Sequence, residues 1–305
     1  MSVFFLNYVA FEIPFSDLEK AKDFYTHFGL SVERHDDVLS FYCDHQSRPS
    51  LKLFLGSEKK QLSYVSMGTS PEGLAEVKKR AEEHKVDTLE SGKEYLSLQS
   101  PQGHVYKISV MEKHSPIAPE SPFFINSAGQ YLRLNKGALP PKSTIPDVRP
   151  RKLGHCLLFS PDVEGSIRFV EDVLGMHLSD RSGDVVAFTH CKGGSDHHVL
   201  AFAQSKGIGL HHVSFMLSTP DEVGIGGSRM KEKGHIDGWG FGRHAIGSNF
   251  FHYVRDPWGS YAEYYADIDY ITDSSTWQPS DWPLEDSLHT WGPEPPEDFV
   301  SNYEA

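Results

Sequence analysis

The feature that most limits what this chain can fold into is that its plan is written twice. Leu6 to Leu30 (LNYVAFEIPFSDLEKAKDFYTHFGL) and Leu153 to Met176 (LGHCLLFSPDVEGSIRFVEDVLGM) follow one pattern. Each reads as a short apolar strand, a turn holding Pro with Asp or Ser, and an amphipathic helix that reaches a glycine. In the first copy Leu18, Ala21, Phe24, Tyr25 and Phe28 fall at helical spacing and share one face. The parallel continues with QLSYVSM (Gln61 to Met67) against GLHHVSF (Gly209 to Phe215). A second helical stretch follows each, over 71–84 and 220–233. Then LQSPQGHVYKISV (Leu98 to Val110) parallels YVRDPWGSYAEYY (Tyr253 to Tyr265), two strands joined by a Pro/Gly turn. Tyr8 and Tyr64 are 56 residues apart, and His155 and His212 are 57 apart. Each copy therefore carries two β-α-β-rich modules.

This organisation predicts a first domain over 1–112, a linker over 113–150, a second domain over 151–270 and a tail over 271–305. The linker holds seven of the nineteen prolines, which suits an extended segment. The net charge of −13 is concentrated at one end: no Lys or Arg follows Arg255, whereas twelve acidic residues do. An acidic end lacks the clustered positive charge that nucleic-acid binding requires. Trp277, Trp282 and Trp291 make the tail too apolar for pure disorder, so it is expected to pack back onto the body. Apolar runs fall short of the roughly 20 residues of a membrane span. The first residues lack the basic region of a signal peptide. Cys43, Cys156 and Cys191 form no CxxC pair and read as reduced thiols. A cytoplasmic protein with no nucleic-acid or membrane partner is expected.

Matching positions of the two copies differ in chemistry. The first has Tyr8, Tyr64 and Lys107; the second has His155, His212 and Glu263. Two imidazoles and a carboxylate suit iron or manganese and leave coordination positions open, whereas a closed zinc site wants four protein ligands. An ammonium cannot ligate, so one metal per chain is expected, in the second half. His212 is preferred to His211 because it aligns with Tyr64.

The chain resembles the type I extradiol ring-cleavage dioxygenases of the vicinal oxygen chelate superfamily from about Leu6 to Tyr270. The most specific piece is GRHAIGSNFFHYVRDPWGSYAEYYAD (Gly242 to Asp267), which supplies His244, Tyr253, Asp256, Pro257, Gly259 and Glu263 at the family's signature positions. The resemblance implies an α+β fold of two tandem domains, each of paired βαβββ modules forming an incomplete barrel. It implies His155, His212 and Glu263 as metal ligands. His198 of DHHVLAF is implied as the acid–base histidine, with His244 and Tyr253 contacting the substrate hydroxyls. Fe(II) is the implied cofactor, Mn(II) being the other metal the ligands accept; no further cofactor is expected. A catecholic substrate, O2 and a homo-oligomer, commonly a tetramer, follow as partners. His252 departs from the aliphatic or Phe residue of the pattern and is expected to affect packing or oligomer contacts, since it alternates with Tyr253. A glyoxalase-type lyase or isomerase and a small-aromatic-binding protein are the alternative functions.

Overall fold

The computed structural model describes residues 3–113 and 125–305. In the first half β1 (Phe5–Ile13), α1 (Leu18–His27), β2 (Ser31–His35), β3 (Val38–Tyr42) and β4 (Leu51–Leu55) form one βαβββ module. The next is β5 (Gln61–Thr69), α2 (Pro71–Glu83), β6 (Asp87–Ser91), β7 (Tyr95–Gln99) and β8 (Val105–Val110). The second half repeats this with β9 (Lys152–Ser160), α3 (Val163–Phe169), β10 (Met176–Ser182), β11 (Val186–Cys191), a short β12 (Ser195–Asp196) and β13 (Leu200–Gln204). Its last module is β14 (Gly209–Met216), α4 (Pro220–Glu232), β15 (Gly238–Arg243), β16 (Phe250–Arg255) and β17 (Tyr261–Ala266). The tail adds β18 (Tyr270–Ile271), β19 (Ser280–Asp281) and α5 (Leu284–Ser287).

The sheet orders are β2-β3-β4-β1-β5-β8-β7-β6 and β15-β16-β17-β14-β9-β13-β11-β10-β19. The end strands of neither sheet pair with each other, so both barrels are open, as the α+β expectation has it. The helix starts follow local chemistry: Ser70 and Thr219 cap α2 and α4 through Gly73 N–H and Glu222 N–H, with Pro at the first helical position of each. Gly29, after α1, has φ +101°, and Gly175, after the wide turn of residues 170–174 that extends α3, has φ +72°. Both values lie in the left-handed region that suits helix exit.

The duplication holds at the level of register. Tyr8 lies opposite Ser66, and Ser66 beside Lys107; His155 lies opposite Ser214, and Ser214 beside Glu263. Even the irregularities repeat: β5 skips Ser63 and β14 skips His211, each just before the aligned Tyr64 or His212. Strand alternation then sends His155, Leu157 and Phe159 to the concave face and Cys156 and Leu158 into the helix-backed core.

The halves are joined by buried contacts. Phe28 stacks on Tyr264 with centroids 3.8 Å apart, and His104 Nε2 lies 2.9 Å from Phe159 O. Of the linker, residues 114–124 lie outside the described residues; 125–150 is largely exposed, with one 3-10 turn at Lys142–Thr144. Most of the tail lies on the second half: Trp277 Nε1 donates to Ser179 O, Trp282 N–H to Arg181 O, and Phe299 is buried. No helix among the described residues is long and apolar enough to cross a membrane.

Candidate functional site

Three adjacent strands, β9, β14 and β17, bring His155, His212 and Glu263 together on the concave face. One ligand atom from each lies within 4.8 Å of the others, and all three side chains are buried. His155 Nε2 is 3.1 Å and His212 Nε2 3.6 Å from Glu263 Oε2. Among the described residues no other three His, Cys, Asp or Glu side chains converge in this way. Burial pushes the Glu263 carboxyl up, but the bond from His155 and the surrounding imidazoles outweigh it and hold the group below the usual carboxylate range. Burial, with His211 beside it, drives His212 well down, so it is a neutral imidazole. Its Nε2 is buried without a hydrogen-bond partner. An orphaned neutral nitrogen beside a buried carboxylate is costly in apolar surroundings, and a divalent cation satisfies both. The donor set therefore fits a metal ion.

The tautomer of His212 can be followed outward. His211 Nε2 faces Phe299 O at 2.8 Å, an acceptor, so His211 carries its proton there. Its Nδ1 then accepts from His212 Nδ1–H at 2.7 Å, which leaves His212 Nε2 free as a ligand. His244 is handled in the same way. Its Nδ1 donates to Leu288 O at 2.6 Å, so its Nε2 accepts from the Tyr253 hydroxyl at 2.9 Å. Burial, with Glu263 nearby, holds the Tyr253 phenol well above its ordinary pKa, so that hydroxyl keeps its proton. The His198 ring lies 4.2 Å from that of His155 and 5.0 Å from that of Phe188, and burial keeps it neutral. All six expected residues thus cluster: ring centroids run 4.2 Å from His198 to His155, 5.4 Å from His155 to His212, 5.2 Å from His212 to Tyr253 and 5.8 Å from Tyr253 to His244.

Sequence reasoning missed three contributors. Asn249 is fully buried and donates to Glu263 Oε1 at 3.3 Å; its position inside GRHAIGSN was the available signal. Leu288 O and Phe299 O are main-chain groups of the tail, and no side-chain identity announces them. His252 lies on the opposite face, as expected, but is buried beneath α4 against Gly227, which makes it a packing residue within the chain. Cys156 and Cys191 are fully buried and their thiols are pushed up by burial, that of Cys191 to about 12.

The equivalent place in the first half is filled by its own contacts. The Tyr8 and Tyr64 hydroxyls are 3.0 Å apart, and the Lys107 ammonium lies 4.1 Å from the Tyr64 ring centroid. A cation over an aromatic face stands where the second half places its carboxylate.

Fold and site together define a metalloenzyme built on duplicated βαβββ modules, with one candidate metal cluster among the described residues. The chain belongs to the extradiol ring-cleaving dioxygenases of the glyoxalase/bleomycin resistance protein/dioxygenase superfamily. Residues 152–264 match the model of that superfamily, and residues 8–43 match that of the bleomycin resistance protein-like N-terminal domain. The chain is 40% identical to metapyrocatechase 2 of Cupriavidus necator over 98% of its own length and 92% of that protein. In fold it is similar to a variant of homoprotocatechuate 2,3-dioxygenase from Brevibacterium fuscum, with TM-score 0.77, 19% identity and coverage of 99% and 82% of the two chains. It is also similar to a Mn(II)-bound glyoxalase from Novosphingobium aromaticivorans, with TM-score 0.76, 22% identity and coverage of 97% and 93%.

Proposed function

We propose that this chain holds one Fe(II) through His155, His212 and Glu263 and uses O2 to open a catecholic ring beside one hydroxyl-bearing carbon, in the breakdown of aromatic compounds. The observation that carries the reading is the buried triad with an orphaned His212 nitrogen, set next to three further polar side chains that a metal site alone does not need. Bound there, the metal would leave coordination positions open to ligands from outside the chain and would supply the redox chemistry that O2 requires.

The chain's own residues do the rest. His198, neutral and beside His155, takes a proton from a substrate hydroxyl and returns it during ring opening. Tyr253 and His244 form one bonded unit at the pocket wall, which orients a catechol hydroxyl. Phe188 and the apolar concave residues Leu157 and Ala201 exclude water. A glyoxalase-type isomerisation or simple binding of an aromatic gives this set of groups no role. Mn(II) is the competing metal, since the same ligands accept it, and a Mn(II)-bound relative shares the fold.

A homo-oligomer, tetrameric by family resemblance, is part of the reading. The exposed Ile125, Tyr131, Leu132 and Leu134 of the linker supply apolar surface for such contacts. The expected compartment is the cytoplasm. The test is anaerobic reconstitution with Fe(II) or Mn(II), then addition of O2 and a panel of catechols while the visible spectrum is recorded. A yellow ring-opened product that requires Fe(II) and disappears in Glu263→Ala supports the reading; bound metal without product or O2 uptake contradicts it.

A further inference from the structure

His198 does not stand alone behind the pocket. Its Nδ1 lies 3.1 Å from Nδ1 of His197, and His197 Nε2 lies 2.8 Å from Asp180 Oδ2. The other oxygen of that carboxylate, Oδ1, accepts the Ser280 N–H at 2.6 Å, a main-chain donor of tail strand β19. His197 is wholly buried and Asp180 nearly so. The indole ring of Trp277 meets His197 edge to face at 5.2 Å and closes the outer side.

The chemistry of the end group fixes the direction of the bond next to it. A carboxylate only accepts, so the proton between it and His197 sits on His197 Nε2. The parallel with His211, whose Nε2 is likewise engaged by an oxygen acceptor, then assigns the Nδ1 of His197 as the acceptor towards His198. Two nitrogens facing each other cannot both accept, so His198 Nδ1 carries a proton and donates it to that bond. What remains is His198 Nε2, without a proton and without a hydrogen-bond partner among the described residues. The His211–His212 pair shows the same logic with a tail carbonyl at its end.

We propose that Asp180 and His197 are a positioning pair that sets the tautomer of His198, with tail strand β19 holding the carboxylate in place. The pair presents His198 to the substrate as a base at Nε2 and leaves Nδ1 tied to the protein. The proposal rests on the acid–base role given to His198 above. Neither Asp180 nor His197 touches substrate; both act through His198.

The test exploits polarity. Asp180→Asn can keep accepting the Ser280 N–H through its carbonyl while presenting its amide N–H to His197 Nε2. That reverses each bond in the chain and puts the His198 proton on Nε2. Asp180→Ala removes the constraint without reversing it. In the metal-loaded enzyme with catechol as substrate, Asp180→Asn should lower kcat on the order of 100-fold, the scale of a general base in the wrong protonation form. KM should change by less than about threefold and metal content should stay at the wild-type level, because no ligand or substrate contact is lost. Asp180→Ala should lose about tenfold. A merely structural role predicts the opposite order, since alanine loses both the packing and the bonds.

The readout independent of turnover is histidine nitrogen NMR of the zinc-loaded protein. Wild type should show His198 protonated at Nδ1, Asp180→Asn at Nε2, and His197→Phe a mixture of both forms. The last variant carries the test if the asparagine variant does not fold. Wild-type His198 protonated at Nε2, or an alanine variant slower than the asparagine one, overturns the proposal. The NMR pattern as described in a protein that opens no catechol ring would instead overturn the function given above and leave the positioning pair standing.

Discussion

Asn249 supports the metal-binding carboxylate from outside the ligand set. It is fully buried, donates to Glu263 Oε1, and keeps its own carbonyl oxygen unpaired. An outer partner of this kind orients a metal-binding carboxylate and tunes its basicity. Asn249→Ala should therefore lower metal affinity by about 10- to 100-fold, measured by titration against a competing chelator, with the fold unchanged by circular dichroism. Unaltered affinity would show that Glu263 needs no such support. His155, His212 and Glu263 were legible in the sequence because the duplicated copy carries Tyr8, Tyr64 and Lys107 at the same places, so the contrast isolates them. Asn249 has no such contrast to reveal it. The carbonyls that fix His211 and His244 belong to Phe299 and Leu288, whose side chains say nothing about what their main chain accepts.

At the scale of the element, α4 shows why a sequence reading of helices succeeds while its packing stays hidden. The expected stretch from Pro220 to Lys233 matches Pro220–Glu232, because the Thr219 cap and the proline after it mark the start locally. Its glycines do not announce their roles. A Cβ at Gly224 meets nothing within 4 Å, whereas one at Gly227 lands 2.3 Å from the His252 ring. The two substitutions should therefore have opposite signs. Gly224→Ala should stabilise by roughly 0.5–1 kcal/mol through helix propensity. Gly227→Ala should destabilise by about 1–3 kcal/mol, because the buried imidazole has to move. Urea unfolding of both variants checks this, and equal effects of either sign would contradict the packing described. His252 could be placed on the far face of β16 by alternation alone. That the far face lies under a glycine-lined helix depends on tertiary contact, which the strand pattern does not encode.

The whole molecule is fastened by groups far apart in sequence. Lys60 of the first half, buried, pairs with Glu304 near the chain end and donates to Ser260 Oγ at 2.6 Å. Glu304 also accepts from the main-chain N–H groups of Leu62 and Leu210, one in each half. Removing its carboxylate leaves a buried ammonium without its counter-charge, so Glu304→Ala should cost about 3–5 kcal/mol in denaturant unfolding, and a loss below 1 kcal/mol would contradict this anchoring. Buried histidines at the joints add a pH dependence. Burial lowers both His104, at the contact between halves, and His252, beneath α4, to about 4. Since the unfolded chain binds these protons near pH 6.5, their stabilising contribution is complete above that value and is lost as pH falls towards 4. Roughly 2 kcal/mol per histidine should be gone by pH 5, and equal unfolding free energies at pH 7.5 and pH 5 would refute it. The duplicated modules were readable from periodicity and repeated spacing, and the tail's return from its tryptophans. Its grip on both halves was not, because one glutamate near a chain end carries no pattern.

The central claim is that one metal sits between His155, His212 and Glu263 and none sits in the matching place of the first half. Anomalous X-ray scattering at the iron edge from crystals grown anaerobically with Fe(II) tests it directly. A single peak per chain is expected, in contact with Nε2 of His155, Nε2 of His212 and a carboxylate oxygen of Glu263. A peak elsewhere, or a second one beside Tyr8, Tyr64 and Lys107, would contradict it.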